Sequence, residues 1–434
     1  MAPQEKYKLS RYNVFHQDGD VKYVWNTYSD AVLKLDKKDH EYITSFAGVD
    51  DKSDEFNILK DNGFIILEQL DELGRIKIHE KQALFSRNTN NMSIVIAPGM
   101  GCNYNCTYCF QASIDKSEAM TPETAFEVAE YICNRLKNFP NTKKLNIIWF
   151  GGEPLLYVDI IETISHKVME YTKQNKIEYS ADIVTNGRLL DPTTLTKLKE
   201  LCIVKAQITV DGTRELYCKS KGVPSEDFDC VINNICSSIG KIKISIRLNI
   251  PNNDSDEAIA ITDYLLSQHN LLGKANVTFG YVRDHSLSEN DAQQAFNNFV
   301  HEYLLWENYV IEHYGISQII KALDPKRRLI YCGKLRMGNV CIGSCGELYK
   351  CHRDFGHNSR LIGNIKSGEF YNATHLLYCS SIDTPQKHDC LQCTYLPVCM
   401  GGCANYYLTG EIELNCEAAK YLWLQCKLNR VIHR

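Results

Sequence analysis

At 434 residues the chain exceeds the usual size of one domain, and 44% hydrophobic with 23% charged residues is the make-up of a globular protein with sizeable cores. A formal net charge of -5 argues against a general binder of nucleic acid or anionic membrane. The start "MAPQEKYKLSRY" has no apolar signal core, and no run of about eighteen apolar residues occurs, so the expectation is a cytoplasmic protein with neither membrane nor nucleic acid as a partner.

In chain order, residues 1–90 come first as a small α+β module. Its stretch 11–36 alternates β-formers around the Asp18-Gly19 turn, a hairpin signal, and a helix is expected from Lys37 to about Phe46. Residues 91–287 then alternate short β-rich runs with amphipathic helical stretches, which predicts βα units on a parallel sheet. Strands are expected at 93–97, 145–150, 181–185, 205–210, 242–250 and 276–282. Thr121-Pro122 and Asp191-Pro192 each supply an N-cap oxygen followed by proline at the first helical position. Ala125, Val128, Ala129 and Ile132 follow the i, i+3, i+4, i+7 spacing of a core-facing stripe.

The segment after each strand is polar or glycine-rich. The loops are a cysteine cluster at 99–111, "GGEP" at 151–154, "TNG" at 185–187, "DG" at 211–212, "PNN" at 251–253 and Arg283-Asp284. Turn chemistry alone puts Gly, Asn and Asp after strands, so the cysteine loop is the distinctive one. A helical linker is expected over 288–330, helical as far as 321, and the cysteine-rich remainder, 331–434, forms the last unit.

The 19 cysteines are the anomaly in a chain expected to be cytoplasmic, because a reducing compartment disfavours structural disulfides and short cysteine spacings there point to metal or redox chemistry. Cys102, Cys106 and Cys109 form CxxxCxxC within "GMGCNYNCTYCFQ". Three thiolates can hold three irons of a four-iron, four-sulfur cluster and leave the fourth open for a ligand. The alternative is zinc, which in a structural site recruits a fourth Cys or His nearby, and "FQASIDKSEAM" offers none. Near the C-terminus Cys332, thirteen residues, Gly346, four residues and Cys351 precede Cys390-x2-Cys393-x5-Cys399-x3-Cys403 and then Cys416. A zinc ribbon competes for Cys390 to Cys403.

CxxxCxxC followed by Phe110 after a first strand, with "WFGGEPLL" at 149–156 after a second, resembles the radical S-adenosylmethionine (radical SAM) superfamily. The long C-terminal cysteine pattern resembles that superfamily's SPASM extension. The resemblance implies a partial (β/α)6 barrel and an iron-sulfur cluster on Cys102, Cys106 and Cys109 that chelates and reductively cleaves S-adenosylmethionine to a 5'-deoxyadenosyl radical. It also implies two auxiliary four-iron, four-sulfur clusters, three clusters in all. Cys332, Cys351 and Cys403 would hold the inner auxiliary one with Cys341, or with Cys345, or with an iron left open; Cys390, Cys393, Cys399 and Cys416 would hold the outer one. The S-adenosylmethionine pocket would draw on Gly151, Gly152, Glu153, Asn186, Thr209, Arg247 and Asn249. Where relatives often carry His and Arg after the "DG" turn, Tyr217 and Lys221 stand here.

The combined resemblance points to a peptide maturase that forms a thioether, carbon-carbon or similar link in a ribosomally made precursor. Its partners would be that precursor, whose leader would be bound by the 1–90 module unless that module is a plain structural cap, and an electron donor such as flavodoxin or ferredoxin. The competing enzyme is an anaerobic sulfatase-maturing, formylglycine-generating oxidase; there an Asp directly after an inner-cluster cysteine acts as base, whereas here His352 takes that place and Asp354 comes two residues later. His352 and Asp354 are the candidate bases. A zinc-stabilised peptide-binding scaffold is the non-catalytic alternative.

Overall fold

The computed structural model describes residues 5–48, 52–284, 286–315, 317, 323–383, 385–409 and 415–433. They form two compact units, one of residues 1–86, 325–333 and 379–404, the other of 87–324, 334–378 and 405–434.

In the first unit, β1 (Tyr7–Leu9) pairs with β5 (Ile65–Leu67), and β2 (Asn13–Asp18), β3 (Val21–Asn26) and β4 (Val32–Leu35) form an antiparallel sheet in that order. The expected hairpin turns at Gly19, and the expected helix runs Lys37–Thr44 from an Asp36 cap. Val24, Leu35, Ile43, Phe56 and Phe64 make one core. A second joins Tyr12 and Ile76 to Ile382, Leu396 and Met400. The cysteine-rich stretch 390–403 contributes Leu396 and Met400 to this core. Arg11 donates to the Leu391 carbonyl at 2.9 Å, Thr27 to that of Thr394 at 2.5 Å, and Trp25 meets Tyr395 edge to face at 5.7 Å. The division therefore cuts across the expected 331–434 segment.

The second unit contains all six expected strands, β6 (Asn91–Ile96), β7 (Lys144–Trp149), β8 (Glu178–Thr185), β9 (Ile203–Thr209), β10 (Lys243–Leu248) and β11 (Ala275–Phe279), parallel and adjacent in chain order. Thr121 and Asp191 cap helices Pro122–Asn138 and Pro192–Glu200 by accepting from the amides of Thr124 and Thr194. Leu145, Ile147 and Trp149 point outward from β7 and are wholly buried against the helix layer, with Ala125, Val128, Ala129 and Ile132 equally buried opposite them. Burying Leu145, Ile147, Val128 or Ile132 contributes roughly 1.5–3 kcal/mol each by removing the side chain from water. The alternate residues are polar: Asn146 donates to Asp182 Oδ2 at 3.4 Å and accepts from Ser180 Oγ at 3.0 Å, so the inner face of the sheet carries polar groups.

Four further strands extend the sheet from β6. β12 (Val340–Ile342) lies parallel to β6, followed by β13 (Glu347–Tyr349), β14 (Gly363–Asn364) and β15 (Gly368–Glu369). The long helix spans Glu289–Tyr314 and stops at Gly315, φ 83°, earlier than expected; residues 316 and 318–321 of that expectation lie outside the described residues. Among the described residues no helix is long and apolar enough to cross a membrane.

Candidate active site at the strand ends

The loop after β6 carries Cys102, Cys106 and Cys109, each half-buried, and their thiols act on one another electrostatically. Burial pushes Cys106 up to about 11, with Lys221 opposing it, and raises Cys102 as well. Thiolates in such a place need a bound cation to persist. The amide of Tyr104 already donates to Cys102 Sγ at 3.4 Å. Among the described residues, the trio of ligand atoms drawn within 4.8 Å of one another is Glu118, Cys345 and Glu347. Three soft thiolates, with no Cys or His in residues 110–120 to complete a zinc site, fit an iron-sulfur cluster.

The "GGEP" loop is fitted against this loop. Glu153 N–H donates to Gly101 O at 2.8 Å and Gly152 N–H to Gly99 O at 3.2 Å. A Cβ on Gly152 would lie 2.2 Å from Gly101 O and 2.3 Å from Met100 O, and one on Gly151 2.4 Å from Gly99 O. The glycines thus permit contact between two backbone segments. Glu153 is fully buried: Oε1 accepts from Leu155 N–H at 3.0 Å and Thr185 Oγ1 at 2.7 Å, Oε2 from Asn186 N–H at 2.8 Å. Burial raises its carboxyl, against these donors. Asn186 continues the chain of contacts, donating from Nδ2 to Asn103 Oδ1 at 2.7 Å.

A second constellation lies at the ends of β9 and β10. Lys221 Nζ donates to Thr209 Oγ1 at 2.7 Å and Tyr108 OH at 3.1 Å, and pairs with Asp211 Oδ2 at 3.1 Å. Tyr108 OH also donates to Asp211 Oδ2, while Asp211 Oδ1 is buried without a partner among the described residues, an acceptor that a ligand's hydroxyl can use. Arg247 donates to Asn249 Oδ1 at 2.8 Å, and burial lowers its guanidinium, with Asp211 opposing. Tyr108, Asp211 and Asn103 were not among the residues expected here; a sequence does not announce which lone polar side chains will be buried.

His352 sits edge-on to Phe150, ring centroids 4.8 Å apart, and Phe150 stacks toward Phe110 at 6.4 Å. Lys334 Nζ meets His352 Nδ1, and burial, then Lys334 and Arg353, push the imidazole down to about 3. Asp354 is 1% exposed and accepts from Tyr378 OH at 2.6 Å and Asn405 Nδ2 at 2.8 Å. Both candidate bases thus have acceptor atoms engaged by their own chain.

Of the C-terminal cysteines, Cys332, Cys390, Cys393, Cys399 and Cys403 lie in the first unit, Cys341, Cys345, Cys351 and Cys416 in the second. The amide of Tyr395 donates to Cys393 Sγ at 3.4 Å, repeating the Tyr104–Cys102 arrangement. Cys341 is buried and acts on Cys351, whereas Cys345 is exposed beside Glu118 and Glu347.

The model of the radical SAM superfamily matches residues 96–263. The radical SAM cyclopropyl synthase TigE of Paramaledivibacter caminithermalis is 32% identical over 162 residues, 34% of each chain, so only about a third of that relative's length is matched. The cysteine-type anaerobic sulfatase-maturating enzyme of Clostridium perfringens is 23% identical over 360 residues, 76% of this chain and 94% of that one. Two solved structures share the fold. Native anSMEcpe with bound AdoMet and Cp18Cys peptide has a TM-score of 0.59 at 17% identity, covering 79% of this chain and 98% of that one. Streptococcus suis SuiB bound to precursor peptide SuiA has 0.51 at 15%, covering 93% and 97%. With the matched segment opening at the cysteine loop and running through five of the six parallel strands' loops, residues 96–263 form a radical SAM domain, in a chain that shares the fold of anSMEcpe and SuiB.

Proposed function

We propose that the chain is a radical SAM maturase that modifies a ribosomally synthesised peptide. The observation that carries this reading is the convergence of two strand-end loops and one helix end on the loop of the three thiols: "GGEP" bonded to residues 99–101, Asn186 bonded to Asn103, and Lys221 bonded to Tyr108. When bound, the cluster and S-adenosylmethionine supply a carbon radical able to take hydrogen from an unactivated C–H bond. Cys102, Cys106 and Cys109 hold the metal. Glu153 orders the segment that faces the ligand, and Thr209, Asn186, Arg247, Asn249 and Asp211 offer polar atoms to it. His352, acceptor filled by Lys334, is kept neutral, and Asp354 is tied to Tyr378 and Asn405, so each acts as a base only after releasing its present donor. On the cysteine pattern, two auxiliary clusters occupy the C-terminal cysteine sets. A flavodoxin or ferredoxin delivers the electron.

The peptide substrate is supported by anSMEcpe and SuiB, each solved with a peptide bound. The sheet β2–β3–β4 offers two edges to which a leader can add as a further strand. Sulfatase maturation is the second reading, favoured by the alignment over 94% of the Clostridium enzyme. The test is 5'-deoxyadenosine formation by anaerobically reconstituted protein with dithionite and S-adenosylmethionine. It should occur in wild type and cease when Cys102, Cys106 and Cys109 become alanine; continued formation in the variant would refute the assignment. Mass change in a precursor peptide, against formylglycine in a sulfatase peptide, separates the two readings.

A further inference from the structure

The loop that holds the three thiols is fastened to the end of helix Arg214–Lys221. Asn105 N–H donates to Lys221 O at 3.3 Å and Thr107 N–H to Ser220 O at 2.9 Å, so both neighbours of Cys106 are tied to that helix end. The Lys221 side chain adds a second attachment through Tyr108. It is 2% exposed, its partner Asp211 not exposed at all. A buried ammonium is tolerated only when its donors are satisfied, and here Thr209, Tyr108 and Asp211 take one each.

We propose that Lys221 is a positioning residue, which locks the Cys102–Cys109 loop onto the end of β9 and places a positive charge beside the Cys106 side of the metal centre. The inference rests on the reading that these thiols hold a cluster. A fixed cation in dry surroundings favours the more reduced, more negative state of such a centre, so its removal makes reduction harder. The Tyr108 hydroxyl contributes to the lock and not to the charge.

The test compares wild type, K221R, K221M, K221M/D211N and Y108F after anaerobic reconstitution. Three quantities are read: iron and sulfide content, the midpoint potential followed by electron paramagnetic resonance during dithionite titration, and hydrogen exchange of residues 102–109. K221M should shift the potential downward and speed loop exchange about tenfold, the equivalent of one hydrogen bond to a charged group. K221R should return the potential toward wild type. Y108F should speed exchange while leaving the potential in place. K221M alone buries an unpaired Asp211; should it fail to fold, the double variant decides, with a loosened loop and a smaller potential shift expected. Wild-type potential and wild-type exchange in K221M or the double variant would overturn the proposal. If wild type itself takes up no iron, the cluster reading fails and the charge role with it, while exchange in the apo-proteins still decides whether Lys221 locks the loop.

Discussion

Replacing Gly152 by alanine should part the "GGEP" loop from the cysteine loop. The new Cβ would meet Gly101 O at 2.2 Å and Met100 O at 2.3 Å, both backbone atoms that no rotamer change can move. Relief requires the segments to separate by about 1 Å, to ordinary C···O contact at about 3.3 Å. That stretches Gly152 N–H to Gly99 O and Glu153 N–H to Gly101 O beyond bonding range. Two backbone hydrogen bonds at ~0.5–1.5 kcal/mol each give ~1–3 kcal/mol. Displacing Glu153 from Thr185 or Asn186 adds ~1.5–3 kcal/mol for a bond to a charged group. A total of ~2.5–6 kcal/mol shifts the docked-to-parted balance about 70-fold to about ten-thousand-fold or more. Gly240→Ala is the matched control. Its φ is 75° and no atom lies within 4 Å of a Cβ there, so it carries only the local cost of a left-handed residue, about 1 kcal/mol. Iron content after reconstitution and hydrogen exchange over 99–109 are the readouts. G152A should lose iron and exchange rapidly where G240A does neither; wild-type iron and protection in G152A would refute the reasoning.

Arg430→Met should destabilise the second unit by ~3–5 kcal/mol, because it leaves Glu307 charged and without exposure, while the double change with Glu307→Gln should cost much less; urea unfolding distinguishes them. Asp354→Asn should weaken the contacts with Tyr378 and Asn405 and cost ~1–3 kcal/mol whether or not turnover changes, so an unchanged unfolding midpoint would contradict the anchoring role. Removing iron with a chelator should open 390–403 to protease faster than the barrel strands, since four of its fourteen residues are cysteines that metal would tie; uniform cleavage would contradict metal support there.

The six parallel strands were legible because each alternates or runs apolar between turn residues, and the helix starts because Thr121 and Asp191 stand before proline. The end of the long helix at Gly315 was overlooked although glycine is a stop signal, since apolar spacing continues beyond it. The pairing of β12 with β6 and the union of 379–404 with the N-terminal module depend on contacts between residues hundreds of positions apart, for which no local pattern exists. The metal loop was legible as spacing. The polar lattice around it was not: Lys221 stood out as a change of residue type after the "DG" turn, yet only the fold brings Thr209, Tyr108 and Asp211 to its ammonium group. For Glu153 the sequence suggested a ligand contact, and the structure adds its bonds to Thr185 and Asn186.

The central claim is that Cys102, Cys106 and Cys109 leave one iron of a cluster open to S-adenosylmethionine. Its most direct measurement is the electron paramagnetic resonance spectrum of reduced, oxygen-free protein with and without S-adenosylmethionine, in wild type and in the variant lacking these three cysteines. The account predicts a signal in wild type that changes on addition of S-adenosylmethionine and a variant without that response. A wild-type spectrum indifferent to S-adenosylmethionine, or a response that survives loss of the three thiols, would contradict it.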